Sequence, residues 1–252
     1  MILEQLKAIL AGLWNNGGID KRSLVNVGQK DMLNDSQKKN YTIVCLSLTY
    51  DSNRLQFAIS EKEEWLYRAL HGRSVILPKD MENVRTTMTF GGDVASVIAK
   101  LIGNSKALGE TVHITGQTSN TWGEILEIYQ GVFSEKTGMD MKVWMDDDSM
   151  KIAKDLGRIY QIKYARRISR TFSCEKLDSI IGKTTFLTAE EGLKKCLGEF
   201  LDGPRDFKVL NIMPQAYFDR LTNEYADLKE FQGAKRKLKY VIARYTPLLH
   251  LR

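Results

Sequence analysis

Short apolar runs and longer amphipathic stretches alternate along residues 41–201, and this alternation constrains the fold more than any other feature. Residues 41–48 form a continuous apolar run rich in β-formers. Such a run reads as a strand buried on both faces, as in a parallel sheet. Residues 60–71 have helical period, with Trp65, Leu66, Ala69 and Leu70 on one face. Glu61, Glu63 and Glu64 favour its first turns, and Gly72 favours its C-terminal end. Residues 74–77 read as a short strand closed by Pro78. Residues 93–104 read as a helix with Asp93 at its N-cap and a stripe of Val94, Val97, Ile98, Leu101 and Ile102, ended by Gly103. Residues 111–115 alternate as a strand, with Val112 and Ile114 on one face and His113 on the other. Thr121 and Glu124 match a capping box, as do Thr188 and Glu191, and an apolar stripe follows each. Trp65 and Trp122 both fall on such stripes and are expected in the core. Residues 141–145 look like a further strand. Strands alternating with helices long enough to cross over predict an α/β fold with a partly parallel sheet.

The flanks differ in character. Residues 4–14 carry a helical stripe (Leu6, Ile9, Leu10, Leu13) that the run Asn15-Asn16-Gly17-Gly18 ends. Glu4, and the lack of basic residues before the stripe, argue against a secretory signal. Residues 229–252 set Lys235, Arg236, Lys237, Lys239 and Arg244 beside Leu238, Val241 and Ile242, as a basic amphipathic helix or tail. The 252 residues carry a net charge of +6, a mild bias toward anionic partners. No apolar run reaches the roughly 18–20 residues that span a bilayer. Three cysteines (Cys45, Cys174, Cys196) lie far apart in no metal-binding spacing, which fits a reducing, cytoplasmic setting.

The usual catalytic signatures are absent. A dinucleotide fold needs a glycine-rich turn between its first strand and helix, so that backbone can approach the pyrophosphate. The chain has no such spacing: Gly17-Gly18 and Gly91-Gly92 are adjacent pairs. It also lacks a Walker A motif, H-E-x-x-H, C-x-x-C and G-x-S-x-G.

Four stretches in order carry a resemblance. Residues 42–50 (TIVCLSLTY) resemble a strand of the form TIVRPSxxY. Residues 90–95 (FGGDVA) resemble FVHVxDVA at a helix start, and residues 108–116 (LGETVHITG) are similar to a GexyhItg strand. Residues 176–182 and 190–193 resemble a dKl…lG…eeGL close. Together they resemble the second half of the NAD-dependent epimerase/dehydratase family, the extended short-chain dehydrogenases acting on nucleotide sugars, in the branch found among bacterial surface-polysaccharide genes. The resemblance implies a partial Rossmann-like parallel sheet with a C-terminal α/β substrate-binding lobe, the N-terminal glycine-rich half being missing. It implies three parts: an N-terminal remnant (1–40), an epimerase/dehydratase-like half (41–203) and a basic helical tail (204–252).

The resemblance also assigns residues. In the family's Tyr-x-x-x-Lys pair the lysine lowers the tyrosine's pKa so that it acts as general base. Lys30 falls near that lysine, but Asn26 stands at the tyrosine position and an amide cannot take that proton. Cys45, Leu46 and Ser47 occupy the strand-end loop that faces the cofactor, NAD(P). Arg85 falls near a diphosphate-binding arginine, whose fork suits phosphate, and Asn53 and Arg54 fall on a substrate loop. Arg166, Arg167 and Arg170 cluster beside Tyr160 and Tyr164. They either grip a nucleotide diphosphate, with Arg166 and Arg170 as contacts, or form a solvated face pairing with Asp146, Asp147 and Asp148; the solvated face is preferred.

The implied function is nucleotide-sugar epimerisation, dehydration or reduction. This chain is expected to be a truncated or degenerate member that binds a nucleoside-diphosphate sugar and is weak or inactive alone. The alternatives are a non-enzymatic binding or assembly module, or half of a split enzyme. Expected partners are a Rossmann-half protein or a second copy, no nucleic acid and no metal; residues 229–252 read first as a plain solvated face and second as a peripheral membrane contact.

Overall fold

The computed structural model describes residues 31–33, 35, 39–146, 148–207 and 210–246. The expected helix at 4–14, and Asn26 and Lys30, lie outside them. The predicted α/β architecture is present. The elements run β1 (Ile43–Leu46), β2 (Leu48–Tyr50), α1 (Lys62–Leu70), β3 (Val75–Pro78), β4 (Arg85–Thr86), β5 (Met88–Phe90), α2 (Gly91–Leu101), β6 (Thr111–Ile114), β7 (Asn120–Thr121) and α3 (Trp122–Thr137). They continue with β8 (Val143–Asp146), α4 (Ser149–Asp155), α5 (Ile159–Gln161) leading into a π-helical turn (Ile162–Arg166), α6 (Glu175–Ile181), α7 (Ala189–Asp202), α8 (Ile212–Leu221) and α9 (Ala234–Tyr245). Parallel pairs join β1 to β6, β2 to β5 and β3 to β8, and β4–β7 is a short antiparallel ribbon.

The apolar run at 41–48 is not one strand buried on both faces. The chain breaks at Ser47, whose hydroxyl donates to the Thr87 carbonyl at 2.9 Å. Before the break β1 pairs with β6, and after it β2 pairs with β5. Residues 45–49 are only half-buried, because a cavity opens on this stretch.

Asp93 is not the N-cap of its helix. Strand β5 runs straight into α2, which begins at Gly91 with Phe90 as N-cap. Asp93 accepts a hydrogen bond from the Leu187 amide at 2.8 Å, tying the start of α2 to the segment before α7. The two expected capping boxes form at Thr121–Glu124 and Thr188–Glu191.

The main core gathers α1, α3, α7 and the β3–β8 pair. Trp65 and Tyr129 stack at 4.5 Å between ring centroids, and Phe57 meets Trp65, Trp122 and Tyr129 edge-on. Each polar handle is satisfied. Trp65 donates to the Leu55 carbonyl at 2.9 Å, Tyr129 to the Gln56 carbonyl at 3.1 Å and Trp122 to the Arg166 carbonyl at 3.0 Å. A second cluster lies between α2, α6 and the β1–β6 pair, around Val44, Val97, Val112 and Ile114.

Helices α8 and α9 dock on α1 and β3 through buried charge. The Asp219 carboxylate accepts from Arg68 at 2.5 Å, Arg73 at 2.9 Å and the Tyr240 hydroxyl at 2.7 Å. Glu224 accepts from Arg68 at 2.9 Å and from the Ser74 hydroxyl at 2.8 Å, and Glu230 pairs with Arg73 at 2.6 Å. Burial alone would raise the Glu224 carboxyl, but hydrogen bonds from Thr222 and Ser74 and the Arg68 charge outweigh it and hold it below the ordinary range.

Two outcomes follow. Asp219→Ala removes the acceptor shared by Arg68, Arg73 and Tyr240 while Glu224 and Glu230 still pair with the arginines, so unfolding in urea is expected to show a loss of about 2–4 kcal/mol. A carboxyl whose folded pKa is depressed stabilises the fold fully above its unfolded pKa of about 4.3 and loses that contribution as pH falls toward the folded value. Glu224→Gln is therefore expected to lower stability at neutral pH and to flatten the fall in urea midpoint on acidification below about pH 5.

Candidate functional site

Open parallel sheets bind ligands beyond the carboxyl ends of their strands, because loops there diverge and leave a crevice. A crevice lies in this region of the chain. A cavity of about 350 Å³ is lined by every residue from Leu46 to Asp51, the stretch spanning the end of β1 and all of β2. Thr86 and Thr87 close one side, and Gln161, Ala165 and Ile168 come from α5 and the turn after it. Its volume falls within the roughly 300–1,000 Å³ common to small-molecule sites.

Charge is unevenly placed around it. Three arginines line the cavity (Arg54, Arg166 and Arg170) against one carboxylate, Asp51. Asp51 is engaged by its own turn, accepting from the amides of Asn53 at 2.7 Å and Arg54 at 2.9 Å. Arg54 lies 3.8 Å from Glu61, and Gln56, with its carbonyl turned toward it, accepts from Arg54 Nε at 2.8 Å. Arg170 donates to the neutral Tyr164 carbonyl, and its own carbonyl accepts from the Thr87 hydroxyl at 3.1 Å.

Arg166 departs from the solvated face expected for it. It is buried, donating to Glu61 at 2.6 Å and to the Ala58 carbonyl at 2.8 Å. The π-helical turn carries this side chain inward while Tyr160 and Tyr164 stack outside, exposed. Burial pulls the Arg166 guanidinium below its ordinary range and the Glu61 charge opposes that shift. Its Nε has no hydrogen-bond partner among the described residues. Arg167 pairs instead with Asp80, at 3.2 Å.

The other sequence candidates are spread out. Leu46, Ser47 and Arg54 line the cavity, whereas Cys45 and Asn53 do not. Arg85 lies on the β4–β7 ribbon outside the lining, donating to the Ser119 carbonyl at 2.8 Å. His113 is exposed on β6, 5.3 Å between ring centroids from Phe172. Sequence reasoning missed Tyr50, Gln56 and Thr87 as lining residues and Glu61 as the Arg166 partner. For Tyr50 a signal existed: it ends a strand on the side where α/β sheets place their ligands.

Tyr50 is buried, and its hydroxyl has no partner among the described residues. Burial pushes its phenol well above the usual range, with Cys196, Asp93 and Glu191 adding to the rise. A general base needs the opposite shift, and no lysine is among the lining residues. Cys196 is likewise pushed up, by burial first and then by Glu199, to about 11, so it stays a thiol.

The described residues do not fit a dinucleotide. A pyrophosphate cradle needs glycines whose missing Cβ leaves room for phosphate. At the β5–α2 junction that room is taken by the chain itself. A Cβ on Gly92 would lie 2.4 Å from the Phe90 ring and one on Gly91 3.3 Å from the Tyr50 carbonyl. Among the described residues no group of three or more His, Cys, Asp or Glu side chains could hold a metal ion, and no helix is long and apolar enough to cross a membrane.

No protein-family model matches the chain, and no curated protein does. Solved structures do. An epimerase from the thermophilic methanogen Methanothermobacter thermautotrophicus aligns with TM-score 0.52 and 13% identity, covering 72% of this chain and 50% of its own. The Bordetella bronchiseptica enzyme WbmH, solved with NAD+, aligns with TM-score 0.52 and 13% identity over 77% of this chain and 54% of its own. The UDP-glucuronic acid 4-epimerase of Bacillus cereus, solved with UDP-glucuronic acid and NAD, aligns with TM-score 0.51 and 10% identity over 75% and 57%. The chain shares the fold of these enzymes and spans about half their length.

The cavity wall depends on one close approach. A Cβ on Gly192 of α7 would fall 1.9 Å from the Tyr50 hydroxyl. In an ordinary helix Gly→Ala stabilises by up to about 1 kcal/mol. Here overpacking reverses the sign, and Gly192→Ala is expected to destabilise by about 1–3 kcal/mol in thermal or urea unfolding.

Proposed function

We propose that the cavity binds a nucleoside-diphosphate sugar and that the chain acts as the sugar-nucleotide-binding half of an epimerase/dehydratase-type protein. The observation that carries this reading is the arginine excess at the carboxyl ends of β1 and β2. Guanidinium forks match diphosphate oxygens bidentately, and in a recessed site such bonds are stronger than in open water. Arg54 and Arg170 reach the diphosphate, and the hydroxyls of Thr49 and Thr86 and the Gln161 amide face the sugar or base. Arg166 shapes the wall and adds positive potential that Glu61 largely offsets. The fold likeness to enzymes solved with NAD and, in one case, UDP-glucuronic acid supports the ligand class.

The reading stops at binding. Hydride transfer needs a bound nicotinamide and a base of lowered pKa, and the described residues supply neither a dinucleotide cradle nor such a base. The chain alone is therefore proposed to hold the sugar nucleotide without turning it over.

Calorimetric titration with UDP-glucose, UDP-glucuronic acid and representative GDP- and dTDP-sugars tests this. At least one is expected to bind. Arg54→Gln and Arg170→Gln are each expected to weaken it by about tenfold to a hundredfold, the usual loss for a charged hydrogen bond. Arg85→Ala, outside the lining, is expected to leave affinity unchanged. Absence of heat or thermal shift with every sugar nucleotide sinks the reading.

A further inference from the structure

The last helix carries a second surface that the cavity does not explain. Helix α9 is held to the body by one face: Tyr240 and Ala243 are buried, and Arg244 donates to the Glu224 carbonyl at 3.2 Å. Leu238, Val241, Ile242 and Tyr245 have the spacing i, i+3, i+4, i+7 and are 60%, 37%, 40% and 66% exposed. At about 100° per residue they form one stripe roughly opposite the buried face. Lys235 and Lys239 flank it on one side and Lys237 on the other. No acidic residue lies anywhere on α9. Leu238, Val241 and Ile242, expected on a basic amphipathic helix or tail, face outward.

We infer that α9 is a membrane-surface helix that lays this stripe into the headgroup region of an anionic bilayer. An interfacial helix needs three things: an apolar stripe, flanking lysines that reach phosphate, and a polar-aromatic residue at the boundary. Leu238, Val241 and Ile242 supply the first, Lys235, Lys237 and Lys239 the second, and Tyr245 the third. Arg244, 5.4 Å from the Tyr245 ring and 4.6 Å from the Tyr225 ring, stiffens that end. Charge decides between occupants. A second copy of α9 would bring like-charged lysines together around the stripe, and a nucleic acid would leave four apolar side chains against phosphate. An anionic bilayer satisfies both the charges and the stripe.

Flotation of the full chain with phosphatidylcholine vesicles, with and without phosphatidylglycerol, tests this. The chain is expected to float only with the anionic vesicles, and binding is expected to fall as salt rises. Lys235→Gln with Lys239→Gln is expected to weaken binding by about thirtyfold. Val241→Asp and Ile242→Asp are expected to abolish it with the circular dichroism unchanged, and Leu238→Glu, at the more exposed position, is expected to do the same should either of those disturb the fold. Recovery in the pellet regardless of lipid overturns the proposal. So does a dimer in sedimentation that Val241→Asp dissolves while vesicles bind nothing. Retention on DNA without flotation overturns it too, as does binding lost on removing residues 247–252 but untouched by the stripe variants. Sugar-nucleotide titration of the same variants is expected to be unchanged, so this proposal and the cavity reading fail separately.

Discussion

Behind the cavity wall the buried Arg166 pairs with Glu61, whose carboxylate is partly exposed. A guanidinium this deeply buried persists only if its charge is matched and its donors are used. Glu61 supplies the charge and the Ala58 carbonyl takes a second donor. The pair therefore ties the π-helical turn to the segment that starts α1. That segment is already constrained: Glu61 caps α1, and the chain turns tightly at 57–60, with Ala58 at a φ of 44°. The Arg166 carbonyl in turn accepts from Trp122, so the same residue locks the start of α3. The side-chain pair thus ties the π-helical turn to the start of α1, while the Arg166 carbonyl separately ties it to α3.

A second buried ionic centre, at Asp219, works in the same way on the other side of α1. Where Arg166 fixes a loop against the core, Asp219 fixes two whole helices. Helix α1 joins the two centres. Its N-terminal end meets the cavity wall through Glu61, which accepts from Arg166, and Arg68, near its other end, meets Asp219. Between them Trp65 stacks on Tyr129 in the main core.

Local pattern made the elements legible and left the charges illegible. The capping boxes at Thr121 and Thr188, the α2 stripe and the two core tryptophans all follow from spacing, because each depends on residues within one or two turns. The Arg166–Glu61 and Arg68–Asp219 pairs join residues more than a hundred positions apart, and nothing local distinguishes these arginines from solvated ones. Arg166 reads as surface because it stands among Lys163, Arg167 and Arg170; the π-helical turn alone sends it inward. Asp93 misled for a related reason. An aspartate at a helix start normally caps it, but Gly91-Gly92 let β5 enter the helix two residues early, which freed Asp93 to hold Leu187.

The failure at residues 41–48 is the informative one. The run is apolar enough to be covered on both faces, yet from Cys45 to Thr49 it is only half-covered. An apolar strand end left partly open in a closely packed protein is a cost that packing alone would remove. Here arginines, hydroxyls and the amides of Gln56 and Gln161 line the opening alongside Ala165 and Ile168. Such a lining suits a ligand with a charged end and a polar body. Its one phenol, Tyr50, is pushed away from ionisation by burial. The same burial that makes Tyr50 a poor base makes it a stiff wall, held by Gly192 on α7. The geometry is that of a recess at a strand end, lined by three arginines and one carboxylate and backed by a rigid ring.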